Sequence, residues 1–153
     1  MKKLLIVSHT PSPHTRAMTN AVVKGATHAD ISRIEVMLKQ PLESGPQDVL
    51  AADAIILGTT ENFGYMSGAL KDFFDRTYYP CLEKTGSLPF AVFIRAGNDG
   101  RGALVSIERI VKGLAWRQVQ EPLICRGEWQ PSFVDQCEEL GMTVAAGIEA
   151  GIF

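Results

Sequence analysis

Hydroxyl side chains are concentrated in a short segment near the start of the chain. Positions 10–15 read Thr-Pro-Ser-Pro-His-Thr, so three hydroxyl groups lie within six residues. The unpaired amides and the dipole at a helix N-terminus favour an anion, and hydroxyls add uncharged donors. Because a helical pattern follows directly, we predict that Thr10, Ser12 and Thr15 bind a phosphate. The alternative is that these hydroxyls only cap the helix.

Two further segments combine glycine with polar side chains. Residues 58–64 read Gly-Thr-Thr-Glu-Asn-Phe-Gly, and residues 95–102 read Arg-Ala-Gly-Asn-Asp-Gly-Arg-Gly. Three glycines within six positions of the latter allow a ligand to approach the backbone closely. The glycine spacing does not fit GxGxxG, since position 105 is Val, and the segment does not follow the first strand. A dinucleotide fingerprint is therefore excluded.

Strand and helix patterns alternate along the chain. Residues 4–7, 54–57 and 90–94 are continuously apolar, which is typical of central strands in a parallel sheet. Residues 33–38 and 119–125 alternate instead, which indicates edge strands. Apolar residues at helical spacing predict four helices, with a short fifth near 47–52. The four stripes are Met18, Ala21, Val22, Gly25 and Ala26; Met66, Leu70, Phe73, Phe74, Thr77 and Tyr78; Leu104, Ile107, Val111 and Leu114; and Phe133, Cys137, Leu140, Gly141, Val144, Ala145 and Ile148.

Five strands alternating with helices predict an α/β domain over residues 1–153, with a doubly wound five-stranded parallel sheet of order 2-1-3-4-5 and helices on both faces. Ligands of such sheets bind at the carboxyl ends of the strands, where the strand order reverses. All three polar segments directly follow predicted strands. We therefore expect them to meet at one edge of the sheet.

The first segment resembles the phosphate loop of flavodoxins, which reads Ser/Thr-x-Thr-Gly-x-Thr after the first strand. The resemblance implies a flavodoxin-like fold and a site for the phosphate of flavin mononucleotide (FMN). It also implies a backbone contact from His14, at a position where related reductases often have His or Asn. Pro13 stands where the family has glycine and has no N–H to donate, so we expect weaker binding.

Residues 58–76 are similar to the segment after the third strand in flavodoxin-like NAD(P)H:quinone oxidoreductases and NADPH-dependent FMN reductases. The resemblance implies that Thr60, Glu61, Asn62, Phe63 and Gly64 line the flavin ring, with Phe63 stacking on it. A carboxylate at Glu61 would disfavour an anionic reduced flavin if it pointed inward. By the same resemblance, the third segment contacts the pyrimidine edge of the ring. Its candidate residues are Gly97, Asn98 and Gly100.

Three functions fit these resemblances. The first is an oxidoreductase that passes electrons from NAD(P)H through FMN to a quinone or similar acceptor. The second is an electron carrier of the flavodoxin type. The third is a protein of this fold that has lost tight flavin binding, as Pro13 and Glu61 would favour. No residue is assigned a catalytic role, and a homodimer is compatible with the first function.

Composition and net charge restrict the classes of partner that we expect for this protein. The net charge of −2 lacks the basic surface that nucleic acid requires, and it is weak for a carrier that docks through a strongly acidic face. Cys81, Cys125 and Cys137 lack metal-site spacing, so we expect buried, reduced thiols and no metal. The apolar run at residues 4–7 is too short for a signal peptide or a membrane span. We therefore expect a cytoplasmic protein.

Overall fold

A computed structural model describes residues 1–153 as an α/β fold with helices on both faces of a sheet. The strands are β1 (Lys2–Ser8), β2 (Ile34–Lys39), β3 (Ala54–Asn62), β4 (Tyr65–Met66), β5 (Pro89–Ala96), β6 (Arg117–Gln118) and β7 (Leu123–Arg126). The helices are α1 (Pro13–Ala26), α2 (Pro46–Leu50), α3 (Gly68–Cys81), α4 (Arg101–Gly113) and α5 (Ser132–Glu149). A single turn of 3-10 helix spans Pro41–Glu43.

The parallel sheet has the order β2-β1-β3-β5-β6, and β7 also pairs with β5. Since β6 and β7 together occupy the fifth position, this order confirms the predicted flavodoxin-like arrangement 2-1-3-4-5. Leu4 of β1 pairs with Val36 of β2 and with Ala54 of β3. The ends of β1, β3, β5 and β7 therefore share one edge, and the order reverses between β1 and β3.

Two apolar cores explain why the central strands are continuously apolar. Leu5, Ile55 and Val92 belong to the core on the α3/α4 face of the sheet. Leu4, Ile56 and Ala91 belong to the core on the α1/α5 face. Each central strand is buried on both sides, so alternation with polar residues is impossible there.

Helices α1 and α5 pack with their backbones in contact. A β-carbon built on Gly25 would overlap the carbonyl group of Glu138, and one built on Gly141 would overlap that of Val22. Glycine at both positions is what permits the helices to come this close. The close packing fixes α1, whose first turn contains the last three residues of the first polar loop, Pro13, His14 and Thr15.

The structure corrects two details of the predicted elements. Met66, assigned to the third helix, lies in the short strand β4, which forms an antiparallel hairpin with the end of β3. The helix begins after it because the hydroxyl of Ser67 accepts the amide of Leu70 and caps α3. The single fifth strand is in fact two, β6 and β7, separated by residues 119–122. Pro122 has no N–H for a ladder, which accounts for a break there.

All three cysteines are fully buried and unpaired, as expected. Burial raises the pKa of the Cys81 thiol, which keeps it protonated and unreactive. None of the five helices combines the length and apolar character needed to cross a bilayer.

Candidate functional site

The first polar loop, residues 10–15, is organised by a capping box at the start of α1. The Thr15 amide donates to the Ser12 hydroxyl (3.2 Å), and the Ser12 amide donates to the Thr15 hydroxyl (3.0 Å). The Thr15 hydroxyl in turn donates to the Ser12 carbonyl (3.0 Å). Two of the three predicted phosphate ligands, Ser12 and Thr15, therefore cap the helix, as the alternative interpretation of these hydroxyls proposed. Their contact with a phosphate stays a prediction.

Few donors of this loop remain available to an anion. Pro11 and Pro13 have no amide hydrogen, and the amides of Ser12 and Thr15 are used in the capping box. The amides of Thr10 and His14 have no acceptor within the protein. Pro13 is the first residue of α1, where its missing N–H costs the helix nothing. An anion at this end would rely on Thr10 and His14.

The His14 ring lies flat on the indole of Trp129, with ring centroids 4.0 Å apart and planes 4° from parallel. Trp129 follows β7, so a fourth loop from the same edge of the sheet contacts the first polar loop. Beneath it, the guanidinium carbon of Arg95 is 5.9 Å from the centroid of the Trp129 ring and 5.3 Å from that of Phe133. This stack fixes the side chain of His14 and leaves its amide free.

Arg95 ties the ends of β5 and β7 together. Its guanidinium donates to the carbonyl groups of Ala96 (2.6 Å), Cys125 (3.0 Å) and Gly127 (2.7 Å). Three charge-assisted hydrogen bonds hold the base of the Trp129 loop. Arg95 therefore acts as a structural support of this edge.

The segment predicted to line the flavin ring forms a two-residue hairpin. Asn62 pairs with Tyr65, and Phe63 and Gly64 between them both have positive φ (53° and 71°), as in a type I′ turn. The Thr60 hydroxyl donates to the Asn62 side chain (2.9 Å) within the same hairpin. Phe63 is completely exposed at its tip, at 107% of the reference area.

Glu61 turns toward helix α4. One carboxylate oxygen accepts the amide of Gly100 (3.2 Å), and the other accepts the amide of Ala103 (3.3 Å). These are amides at the start of α4, where the helix dipole favours a negative charge. Glu61 therefore caps α4 and links the hairpin to the third loop.

The glycines of the third loop have different surroundings. A β-carbon on Gly100, which has φ +74°, would overlap the side chain of Ile124, and one on Gly102 would overlap the carbonyl group of Gly64. At these two positions the protein itself requires glycine. Gly97 faces open space and, with the exposed Asn98, could be approached by a ligand.

A family model supplies the deciding comparison. Residues 2–121, which include all three polar loops, match the model described as NADPH-dependent FMN reductase. The chain belongs to the NADPH-dependent FMN reductase family. The matched range ends before Trp129, whose loop lies outside it.

Individual relatives of this FMN reductase family member carry flavodoxin names. A flavodoxin of Aquifex aeolicus (strain VF5) is 36% identical over 75 residues, which cover 49% of this chain and 40% of that protein. The match thus spans less than half the length of this curated relative. Among solved structures, a flavodoxin from the domain Archaea has a TM-score of 0.81 at 19% identity, covering 96% of this chain and 99% of that one. A WrbA-like flavodoxin from Agrobacterium tumefaciens has a TM-score of 0.74 at 20% identity and covers 99% of both chains. These structures establish the shared flavodoxin-like fold.

Trp129 and His9, which also lie at this edge of the sheet, were not predicted from the sequence. Trp129 lies 115 positions from His14, so no local pattern reveals their contact. The rule that the carboxyl ends of parallel strands meet could have drawn attention to the loop after the fifth strand. His9 follows β1 directly, and its buried Nδ1 has no hydrogen-bond partner in the protein.

Burial lowers the pKa of His9 below the ordinary value of 6.5. The folded state then binds fewer protons than the unfolded state, so stability is lost as the pH falls below about 6.5. We expect the free energy of unfolding to fall more between pH 7 and pH 5 in the wild type than in His9→Gln, as measured by urea denaturation. If the free energy of unfolding falls equally with pH in the wild type and in His9→Gln, the lowered pKa does not belong to His9.

Removing the cap that Glu61 provides should cost modest stability. Glu61→Ala leaves two amides of α4 without their acceptor, so we expect a loss of about 1 kcal/mol in the free energy of unfolding. Glu61→Gln keeps one oxygen acceptor and should lose less. The control is Glu108→Ala, an exposed position in the same helix. If Glu61→Ala is as stable as Glu108→Ala in urea denaturation, the cap does not contribute.

Proposed function

We propose that this chain binds FMN at the carboxyl edge of its sheet and passes electrons from NAD(P)H through FMN to a quinone or similar acceptor. The observation that supports this most strongly is that the three loops whose sequences resemble an FMN site lie side by side at the carboxyl edge of the sheet, where the strand order reverses. Family membership supports the flavin and the nicotinamide donor. The acceptor is inferred from the resemblance of residues 58–76 to quinone oxidoreductases.

The polar groups of the first loop fit the phosphate of FMN. The amides of Thr10 and His14 are unpaired at the start of α1, and the helix dipole adds positive potential there. The hydroxyls of Thr10, Ser12 and Thr15 lie in the same loop. Without a lysine or arginine in residues 8–15, the phosphate would be held by uncharged donors.

The conformation of Phe63 supports a ring site at the hairpin. A bulky residue at positive φ costs on the order of 1–3 kcal/mol, and such strain concentrates at functional sites. Full exposure of an aromatic ring at that position adds a second cost. Stacking of Phe63 on the flavin would offset both. Thr60 to Gly64 would then line one side of the ring, with Gly97, Asn98 and Gly100 at its pyrimidine edge.

FMN, when bound, supplies the redox chemistry by taking up and releasing electrons. The protein positions the ring between the hairpin and the third loop. Because Glu61 points at the start of α4, its charge is partly neutralised by the helix dipole. We therefore expect a smaller effect of Glu61 on the reduced flavin than an inward carboxylate would have.

An electron carrier is the second candidate. A curated relative and several structural neighbours are flavodoxins, and the connections between strands here are short. The third candidate, a protein without tight flavin binding, draws support from the two prolines that remove donors from the phosphate loop. The homodimer remains a prediction, and it applies only to the first candidate, the oxidoreductase.

Turnover separates these candidates. FMN-loaded protein is mixed with NADH or NADPH and a soluble quinone, and loss of absorbance at 340 nm is followed. We expect steady consumption that depends on the quinone and that Phe63→Ala reduces. Tyr79→Ala, which alters an exposed aromatic residue of α3, is the matched control. Bound FMN without consumption would reject the enzyme in favour of the carrier.

A further inference from the structure

Gln40 brings a polar side chain from the outer strand to the phosphate loop. It directly follows β2, which pairs with β1 in parallel, so both chains reach the same edge. The Gln40 side-chain amide Nε2 donates to the hydroxyl oxygen of Thr10 at 2.7 Å. The phosphate-loop motif does not include this residue, and the predicted site did not contain it.

This contact determines where the proton of the Thr10 hydroxyl can point. A threonine hydroxyl has one hydrogen to donate and two lone pairs that accept. Since Gln40 occupies a lone pair, the hydrogen must point away from Gln40. The hydrogen bonds of the protein include no acceptor for it. Thr10 is thus held as a donor with an unused hydrogen.

The other two hydroxyls of the loop are committed elsewhere. Thr15 donates its hydrogen to the Ser12 carbonyl, and the Ser12 and Thr15 hydroxyl oxygens lie 3.0 Å apart, which leaves the Ser12 hydrogen for Thr15. The amides of Ser12 and Thr15 are used in the same box. The helix cap uses the Ser12 hydroxyl only as an acceptor, so its hydrogen can turn from Thr15 to an anion. Thr10 is the one of the three hydroxyls whose hydrogen has no partner within the protein.

We propose that Gln40 is a positioning residue that orients the Thr10 hydroxyl to donate to the phosphate of a bound flavin nucleotide. Preference for FMN over riboflavin, which lacks the phosphate, then depends on Gln40 although Gln40 need not touch the ligand. This inference rests on the proposed FMN site. The residue that follows β2 would then contribute to the selectivity for FMN over riboflavin.

The test compares dissociation constants for FMN and riboflavin, measured by flavin fluorescence quenching. The readout is the ratio of the riboflavin constant to the FMN constant. In Gln40→Glu the carboxylate can only accept, so it takes the Thr10 hydrogen and adds a negative charge. We expect that ratio to fall about tenfold or more, as for loss of one hydrogen bond to a charged group. Gln118→Glu adds the same charge at the opposite end of the sheet and should leave the ratio unchanged.

A double-mutant cycle separates orientation from charge. Gln40→Met removes the amide without adding charge, and Thr10→Val removes the hydroxyl. We expect Gln40→Met to lower the ratio in the wild type and to have no further effect in the Thr10→Val background. Equal effects of Gln40→Met in both backgrounds, or none in either, would overturn the proposal.

Inorganic phosphate distinguishes failure of this inference from failure of the proposed function. If the wild type binds neither flavin, the FMN site is wrong. Phosphate is then titrated while the Thr10 and His14 amide resonances are followed by ¹⁵N NMR. Shifts in the wild type that Gln40→Glu abolishes would support the role of Gln40 without a flavin. Shifts that are absent in the wild type, or that persist in Gln40→Glu, would reject it.

Discussion

Gly102→Ala is expected to lower FMN affinity by about tenfold or more. A β-carbon at Gly102 would overlap the carbonyl group of Gly64, at the turn of the β3–β4 hairpin. Helix α4 is anchored in the core by Ile107 and Val111, whereas the turn of the hairpin at Phe63 and Gly64 is exposed. The hairpin should therefore move and carry Phe63 with it. Binding of FMN would have to return the hairpin to its original position against the new methyl group. Overpacking of this kind costs about 1–3 kcal/mol, and 1.4 kcal/mol corresponds to a factor of ten in affinity.

The matched control for this substitution is Gly68→Ala at the start of α3, where a β-carbon meets nothing within 4 Å. It should leave FMN affinity unchanged, and both variants can be measured by the same fluorescence titration. Far-ultraviolet circular dichroism would verify that Gly102→Ala is folded. A folded Gly102→Ala protein with wild-type affinity would show that the hairpin position does not matter to the flavin.

Gly141→Ala should produce the largest loss of stability. The new methyl group would overlap the Val22 carbonyl. Helices α1 and α5, whose backbones are in contact at this point, must therefore move apart. We expect a loss of about 3 kcal/mol in the free energy of unfolding, at the upper end for overpacking. For a chain of this size, that loss lowers Tm by roughly 6–12 °C.

Urea denaturation and thermal melts of Gly141→Ala, with Gly68→Ala as the control, measure this effect. In helices, replacement of glycine by alanine is otherwise stabilising by about 1 kcal/mol. Gly68→Ala should therefore match or exceed the wild type. A Gly141→Ala protein as stable as Gly68→Ala would mean that the α1–α5 contact is looser than the structure describes.

Local patterns in the sequence were sufficient for the strand order and for the edge of the sheet at which the three polar loops meet. Continuous apolar runs identified β1, β3 and β5, because residues buried on both faces have no polar alternation. The hairpin was missed because Met66 lies at helical spacing from Leu70, although Ser67 between them caps the helix. The break at Pro122 was missed because Val119, Leu123 and Cys125 fall on one face of a continuous strand, although Glu121 interrupts that face.

Contacts between distant segments account for most of what the sequence did not predict. The stack of His14 on Trp129 and the hydrogen bond from Gln40 to Thr10 join loops that only the folded sheet brings together. The glycines of the third loop illustrate the same limit. Their spacing predicted close approach of a ligand, yet Gly102 is required by the hairpin backbone and Gly100 by Ile124. The sequence shows where a glycine permits close approach, but only the folded structure shows which group lies next to it.

Retention of FMN tests the central claim most directly. Purified protein is incubated with excess FMN and desalted, and its visible spectrum is recorded beside that of Gly102→Ala treated in the same way. We predict that the wild type stays yellow, with a flavin spectrum shifted from that of free FMN, and that the variant retains less flavin. A colourless wild-type protein after desalting, with no quenching of flavin fluorescence in titration, would contradict the assignment of an FMN site to these loops.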